Sequence, residues 1–194
     1  MKGREAHSAY PSLGASAIFR AAHLLNHLAE SAQQLSAAVH DEFDPPYTTL
    51  NVGVITGGTA KNVVPGECRF TLEWRPIPGQ ESDQVLKLLE AAIEREQEID
   101  PDFTVEVKPI RSDHGFETPA ESRLVQMLEQ ETGRKAGTVA FGTEAAQLIR
   151  LGAEAVVLGP GDIRVAHRTG EYVPLEQLIR CSEILQSTIL ALCA

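Results

Sequence analysis

Leu50, Val52 and Val54 alternate with Asn51 and Gly53, and further on Cys68, Phe70, Leu72 and Trp74 alternate with Arg69, Thr71, Glu73 and Arg75. A period of two sends one side of a segment to a core and the other to water, so both segments are predicted strands. Gly57-Gly58 turns the chain between them. Val85, Leu88, Leu89, Ala92 and Ile93 recur at i, i+3, i+4, i+7 and i+8, which predicts a helix packing one face on a sheet. Upstream, Ile18, Ala22, Leu25 and Leu28 sit at helical spacing, and that helix must end before the paired prolines of residues 41–46 (DEFDPP). A short polar strand over residues 4–9 stops at Tyr10-Pro11. Phe103, Val105 and Val107 alternate with Thr104, Glu106 and Lys108 as a last strand. The order is β-α-β-β-α-β, the split pattern of a ferredoxin-like sandwich, and the class is α+β.

After a polar linker at residues 111–119 the rhythm changes. A helix is predicted over about residues 120–131, then a short strand at 138–141 and a helix from about Glu144. A continuous apolar strand follows at 155–158, and Gly159-Pro160-Gly161 opens a loop containing His167. A closing helix carries Leu175, Leu178, Leu185, Ile189 and Leu192. Alternating helices and apolar strands read as part of an α/β layer. Two strands are too few to stand alone, so either this unit docks on the first half or the rest of its sheet is missing.

Composition narrows the function classes. With 17 Lys and Arg against 27 Asp and Glu, the formal charge is −10, which argues against a nucleic-acid binder needing a basic face. No apolar stretch is long enough to span a membrane, and the first residues carry no apolar signal region. Cys68, Cys181 and Cys193 are odd in number and far apart, so a disulfide framework is not expected and a cytoplasmic location is.

The segments GREAHSAYPSLGASAI, GGTAKNVVPGECRFTLEWRPIPG, AFGTEA and LGPGDIRVAHRTGEYVP, in that order, resemble the zinc-dependent deacylases and exopeptidases. That family includes acetylornithine deacetylase, succinyl-diaminopimelate desuccinylase, aminoacylase and the glutamate carboxypeptidases. FDPPYTTLNVGVITGGTAKNVVP, FGTEA and GPGDIRVAH most resemble its acetylornithine-deacetylating group. The resemblance implies a catalytic α/β domain interrupted by a lid that also dimerises. Residues 1–113 correspond to the lid/dimerisation domain and 114–194 to the C-terminal part of the catalytic domain. It also implies two zinc ions, with cobalt as an alternative, an N-acyl amino acid substrate, a homodimer formed through the lid, and no nucleic-acid or membrane partner. The family's HxD motif, bridging Asp and Glu-Glu pair lie upstream of the lid and are absent from these 194 residues. The expectation is an incomplete hydrolase with little activity alone.

Site residues carry over one by one. His167 is the metal-ligand candidate, since imidazole suits zinc and loops at strand ends display ligands in α/β sheets; without the family pattern it reads as a surface histidine. His7 corresponds to a catalytic histidine that reaches the partner subunit's active site and hydrogen-bonds the developing oxyanion, a contact worth roughly 3–4 kcal/mol in a dry site. Asn62 and Arg75 resemble lid residues that grip the substrate carboxylate, for which the planar guanidinium fork is suited; a solvated strand charge is the plainer alternative for Arg75. Gly142 and Thr143 are implied substrate contacts at a strand-to-helix turn, where backbone N–H groups favour anions, although an N-cap threonine reads the same way. Glu144, from its position alone, could attract the side-chain ammonium of acetylornithine or merely favour the start of a helix.

Two signals are set aside. His23 and His27 have the i, i+4 spacing of a helical metal clip. Counting about 100° per residue from Ile18 turns them toward solvent, with no acidic third ligand on that face. Gly57-Gly58-Thr59 lacks the Lys-Ser/Thr and the helix of a phosphate loop. The leading reading is a fragment of a metal-dependent amide hydrolase that releases acetate and ornithine in arginine biosynthesis. The competing readings are a non-catalytic dimerisation module and a relative acting on another N-acyl amino acid.

Overall fold

A computed structural model describes residues 1–193, which divide into two compact units: residues 1–115 with 139–142, and Phe116–Thr138 with the residues from Thr143 onward.

The first unit is built on the strand pair that the alternation pointed to. β2 (Thr49–Gly57) runs antiparallel to β4 (Cys68–Arg75), with Leu50 facing Trp74 and Val52 facing Leu72. Between Val52 and Val54 the register slips by one at Gly53, so Val54 lies opposite Thr71 and Ile55 opposite Phe70. A bulge of one residue exchanges the faces of everything beyond it. Val54, expected on the core side with Leu50 and Val52, is therefore 59% exposed.

The outer strands depart from expectation. Lys2 bridges Glu67 on one side and Thr104 on the other, both antiparallel, supported by Lys2 N–H to Thr104 O (2.9 Å) and Gly3 N–H to Gly66 O (2.8 Å). Reading across gives Thr104, Lys2, β4, β2, the 4-1-3-2 order of the split pattern. The predicted strand at residues 4–9 does not extend this sheet, because Arg4 pairs with Ala15 and draws the chain aside. Its continuation β1 (Ala6–His7) forms a separate ribbon with β3 (Val63–Val64), a strand that the alternation did not point to. The predicted strand at 103–107 is reduced to its bridge at Thr104.

Helices α1 (Ala17–Leu35) and α2 (Gln84–Ile99) cover this sheet. Ser16 caps α1 by accepting the Phe19 N–H, which satisfies one of the first-turn donors left over by helix geometry. The buried side of α1 is Ala17, Ala21, Leu24, Leu28 and Leu35. The expected stripe was centred wrongly: Ile18 and Ala22 face outward and Leu25 is only half-buried. Leu24 and Leu28 pack with Leu89, Ala92 and Phe103 over Leu50, Val52, Phe70 and Leu72. At the start of α1 small residues allow a close approach, and Ala17 N–H reaches Pro65 O at 2.8 Å. A Cβ on Gly3 would lie 2.3 Å from Ala15 O and 2.7 Å from Pro65 O, so only glycine fits that crossing.

The second unit holds three helices, α3 (Arg123–Thr132), α4 (Ala145–Arg150) and α5 (Leu175–Cys193). Ser122 caps α3 by accepting the Leu124 N–H, and Gly133 ends the helix in the left-handed conformation (φ 66°). Val125, Leu128 and Ile184 are buried where α3 meets α5, and Arg180 Nη2 donates to Glu131 O at 2.7 Å. Of the two strands predicted after the linker, neither 138–141, most of which belongs to the first unit, nor 155–158 forms a ladder among the described residues. A strand needs a neighbour for its N–H and C=O groups, and no described segment runs alongside them as a strand. Leu175, Leu178, Leu185, Ile189 and Leu192 of α5 are exposed. Among the described residues no helix is long and apolar enough to cross a membrane.

Candidate functional site

The β1–β3 ribbon brings two of the candidate residues together. His7 faces Val63, and Ser8 N–H donates to Asn62 O at 3.0 Å, so His7 and Asn62 stand side by side at an exposed end of the first unit. The His7 ring is fixed from within its own turn: Ala9 N–H donates to Nδ1 at 3.1 Å. A nitrogen that accepts an N–H carries no proton, so in the neutral ring the proton sits on Nε2, which becomes the outward donor. Tyr10 lies against the ring, with centroids 6.3 Å apart.

Arg75 closes β4 opposite Thr49 and points to solvent, as alternation required. Its Nε and Nη2 both donate to Glu73 Oε1, at 3.0 and 2.8 Å, while Nη1 donates to Ala140 O at 3.1 Å. The guanidinium thus pairs with one oxygen of the Glu73 carboxylate two residues back on the same strand. The Ala140 carbonyl, which the sequence did not single out, lies two residues before Gly142.

In the second unit, Thr143 and Glu144 begin the short helix α4. Glu144 occupies the N-cap position without a capping hydrogen bond, and Thr143 Oγ1 accepts the Ala145 N–H at 3.1 Å. Both line an open groove with Leu124, Leu148 and residues 154–158, so Glu144 and Glu154 flank an otherwise largely apolar surface. His167 is exposed in its loop, and its backbone N–H donates to Glu171 Oε2 at 2.8 Å. It has φ 60°, the one positive φ outside glycine among the described residues. Such a conformation in a residue with a Cβ persists where the surroundings over-determine it, and it is enriched at functional sites. Earlier in this loop Arg164 clamps Asp162 through its guanidinium and backbone N–H, which lowers the Asp162 carboxyl to about 2.

No group of three or more His, Cys, Asp or Glu among the described residues could hold a metal ion. His167 offers one imidazole where a catalytic zinc typically takes about three protein ligands. These residues therefore do not make a metal centre by themselves.

His23 and His27 require a correction. His23 is largely exposed, as expected, with 62% of its side chain accessible, but His27 is only 15% exposed, and His23 Nδ1 and His27 Nε2 each lie 2.9 Å from a different oxygen of Glu96 on α2. The acidic partner comes from the neighbouring helix. It was legible as the charged residue four places after Ala92 in the stripe Val85, Leu89, Ala92.

Residues 1–101 match the peptidase dimerisation domain. The chain belongs to that family. It is 51% identical, along its whole length, to the acetylornithine deacetylase of Myxococcus xanthus, covering 51% of that protein. It is 31% identical over 192 residues to the acetylornithine deacetylase of Salmonella newport, covering 50% of it. The chain thus spans about half the length of the curated relatives it matches. Among solved structures it resembles a tripeptidase from Staphylococcus aureus (TM-score 0.71, 23% identity, 97% of this chain and 48% of that one). It also resembles an M20 family metallo-carboxypeptidase from Sulfolobus solfataricus (TM-score 0.72, 14% identity, 96% and 55%). At these identities the two structures speak for the α+β fold alone.

Proposed function

We propose that these residues supply the lid and the C-terminal part of the catalytic layer of a metal-dependent amide hydrolase that removes the acetyl group from N-acetylornithine, a step in arginine biosynthesis. The observation that carries the proposal is the 51% identity, without a break in coverage, to the Myxococcus acetylornithine deacetylase. In this reading residues 1–113 are the lid, and 114–194 form a layer that strands from outside these residues complete. The unpaired segment at 155–158 and the bare face of α5 support that division.

The roles assigned to the side chains are those that the family resemblance implies, Glu144 apart. His7 presents Nε2–H to the oxyanion that forms as water adds to the acetyl carbonyl, and a fixed donor there stabilises the transition state more than the substrate. Asn62, beside it on the ribbon, and Arg75 hold the substrate carboxylate, with the substrate displacing Glu73 from the guanidinium. Gly142 and Thr143 contact the substrate at their turn, and Glu144 meets the ornithine ammonium. His167 is one ligand of a metal site whose remaining ligands lie outside these residues; zinc, in a pair of ions, fits its imidazole. The metal would polarise the carbonyl and acidify the attacking water.

The peptidase dimerisation match supports a homodimer through the lid, using α1 and the free edge of β2, beside which Phe19 and Val54 are exposed. Three unpaired cysteines fit a cytoplasmic location. A second reading, a dimerisation module without catalysis, is supported by the match of residues 1–101 to the peptidase dimerisation domain. The test is metal analysis and acetate release for the 194-residue chain, alone and joined to the complementary half of the Myxococcus relative. Zinc binding and N-acetylornithine hydrolysis in the joined protein only would support the hydrolase reading. A folded, dimeric, zinc-loaded joined protein without hydrolysis would leave the module reading.

A further inference from the structure

We infer that the contact between α1 and α2 is an acid-sensitive latch, in which the Glu96 carboxylate, held between the imidazoles of His23 and His27, fixes α1 at neutral pH and releases it when the carboxylate takes up a proton. Three features of the interface carry the inference. First, Glu96 is 5% exposed and sits where the α2 stripe otherwise places apolar residues, so its charge depends on partners from the opposite helix. Secondly, those partners are two ring nitrogens at 2.9 Å, one on each carboxylate oxygen. Thirdly, both rings stand on one helix face, four residues apart, so a single carboxylate fastens two points of α1.

The charged and titratable neighbours fix the direction of the response. From α1 they are Arg20, His23, His27 and Glu30, with Glu30 Oε2 lying 3.7 Å from His27 Nδ1. At the C-cap of α2, one turn beyond Glu96, stands Asp100, which Arg20 engages through Nε at 2.9 Å. The sheet contributes the apolar side chains Leu50, Val52, Phe70 and Leu72 to the core beneath the two helices. Protonating an imidazole leaves its donor toward Glu96 in place and adds a positive charge. Protonating the carboxylate removes the negative charge and one of the two acceptor oxygens that the rings address. The carboxylate is therefore the group that opens the contact. Burial pushes the Glu96 carboxyl up, but the hydrogen bonds from His27 and His23 outweigh it and hold the group below the usual value of 4.5. With a folded-state value below the unfolded one, the stabilisation is fully present above about pH 4.5 and is lost as pH falls through the folded-state value. Because Ala17 N–H at the start of α1 bonds Pro65 O just after β3, release of α1 reaches the ribbon bearing His7 and Asn62. That consequence rests on the proposed hydrolase role; the latch itself does not.

The test is backbone amide exchange of α1, corrected for intrinsic rates, together with equilibrium unfolding of the 194-residue chain from pH 7 to pH 3.5. Wild type is compared with Glu96→Gln and with His27→Gln. Wild-type protection in α1 is expected to collapse below about pH 4.5. The folded-to-unfolded ratio should fall by about tenfold more than in Glu96→Gln for each unit by which the native carboxyl lies below its unfolded value. His27→Gln, which keeps the carboxylate, should lose part of that difference and supplies the comparison if Glu96→Gln does not fold. Parallel pH profiles in wild type and both variants, or α1 protection unchanged at pH 3.5, would overturn the latch whatever the chain hydrolyses.

Discussion

Replacing Leu24 by Ala tests which face of α1 the fold uses. Leu24 is fully buried between Leu28, Leu89, Ala92 and Phe103, so the substitution removes three carbons from a closed site and leaves a cavity. Leu→Ala changes at such positions cost about 2–5 kcal/mol; with neighbours held by two helices and a sheet, about 3–4 kcal/mol is expected. For a unit of roughly 120 residues this amounts to a melting temperature lower by about 12–16 °C. The control is Ile18→Ala, at the position from which the sequence stripe was counted. Ile18 is 37% exposed and lies beside Gly57 and Gly58, so about 1 kcal/mol is expected. Urea unfolding followed by Trp74 fluorescence is the assay, since Trp74 is the chain's single tryptophan and lies in the first unit, its indole N–H bonded to Ser82 O. Equal losses for the two variants, or a larger loss for Ile18→Ala, would refute the packing of α1 described above.

Other expected outcomes follow from single contacts. Gly3→Ala places a Cβ within 2.7 Å of three backbone atoms and should cost about 3 kcal/mol or more, read as a lower urea midpoint for the Trp74 transition. Ser122→Ala removes the acceptor for the Leu124 N–H and should cost about 1 kcal/mol, read as faster amide exchange in the first turn of α3 with the Trp74 transition unmoved. In an intact relative, the change equivalent to Glu144→Gln should weaken acetylornithine turnover by several-fold more than turnover of an uncharged N-acetyl amino acid; equal losses would remove Glu144 from substrate recognition.

The sequence made the first unit far more legible than the second, and the reason is partnership. The alternation from Cys68 to Arg75 and the helical stripe from Val85 to Ile93 both meet their partners inside this chain, so local pattern and final structure agree. Val54 escaped because a bulge at Gly53 leaves no mark in an alternating pattern. The face of α1 was misjudged because Ala17 and Ala21, which pack closest, are too small to dominate a hydrophobicity count. Residues 155–158 carry the composition of a buried strand, but among the described residues no strand pairs with them. His7, Asn62, Arg75 and His167 could be named only through the family resemblance. The ribbon that joins His7 to Asn62, the ring nitrogen fixed by Ala9 and the left-handed backbone of His167 emerged from three-dimensional geometry. Glu96 was visible as a charge in an apolar stripe, and only the neighbouring helix explained it.

The most direct measurement joins the complementary half of the Myxococcus acetylornithine deacetylase to this chain, loads the purified dimer with zinc, and follows N-acetylornithine hydrolysis with and without His7→Ala. Hydrolysis is expected in the parent. A loss of roughly 10²–10³-fold in kcat, with the zinc content unchanged, is expected in the variant, as for removal of an oxyanion donor. A parent protein that folds, dimerises and binds zinc yet leaves N-acetylornithine intact, or a His7→Ala variant as active as its parent, would contradict the role assigned to this chain.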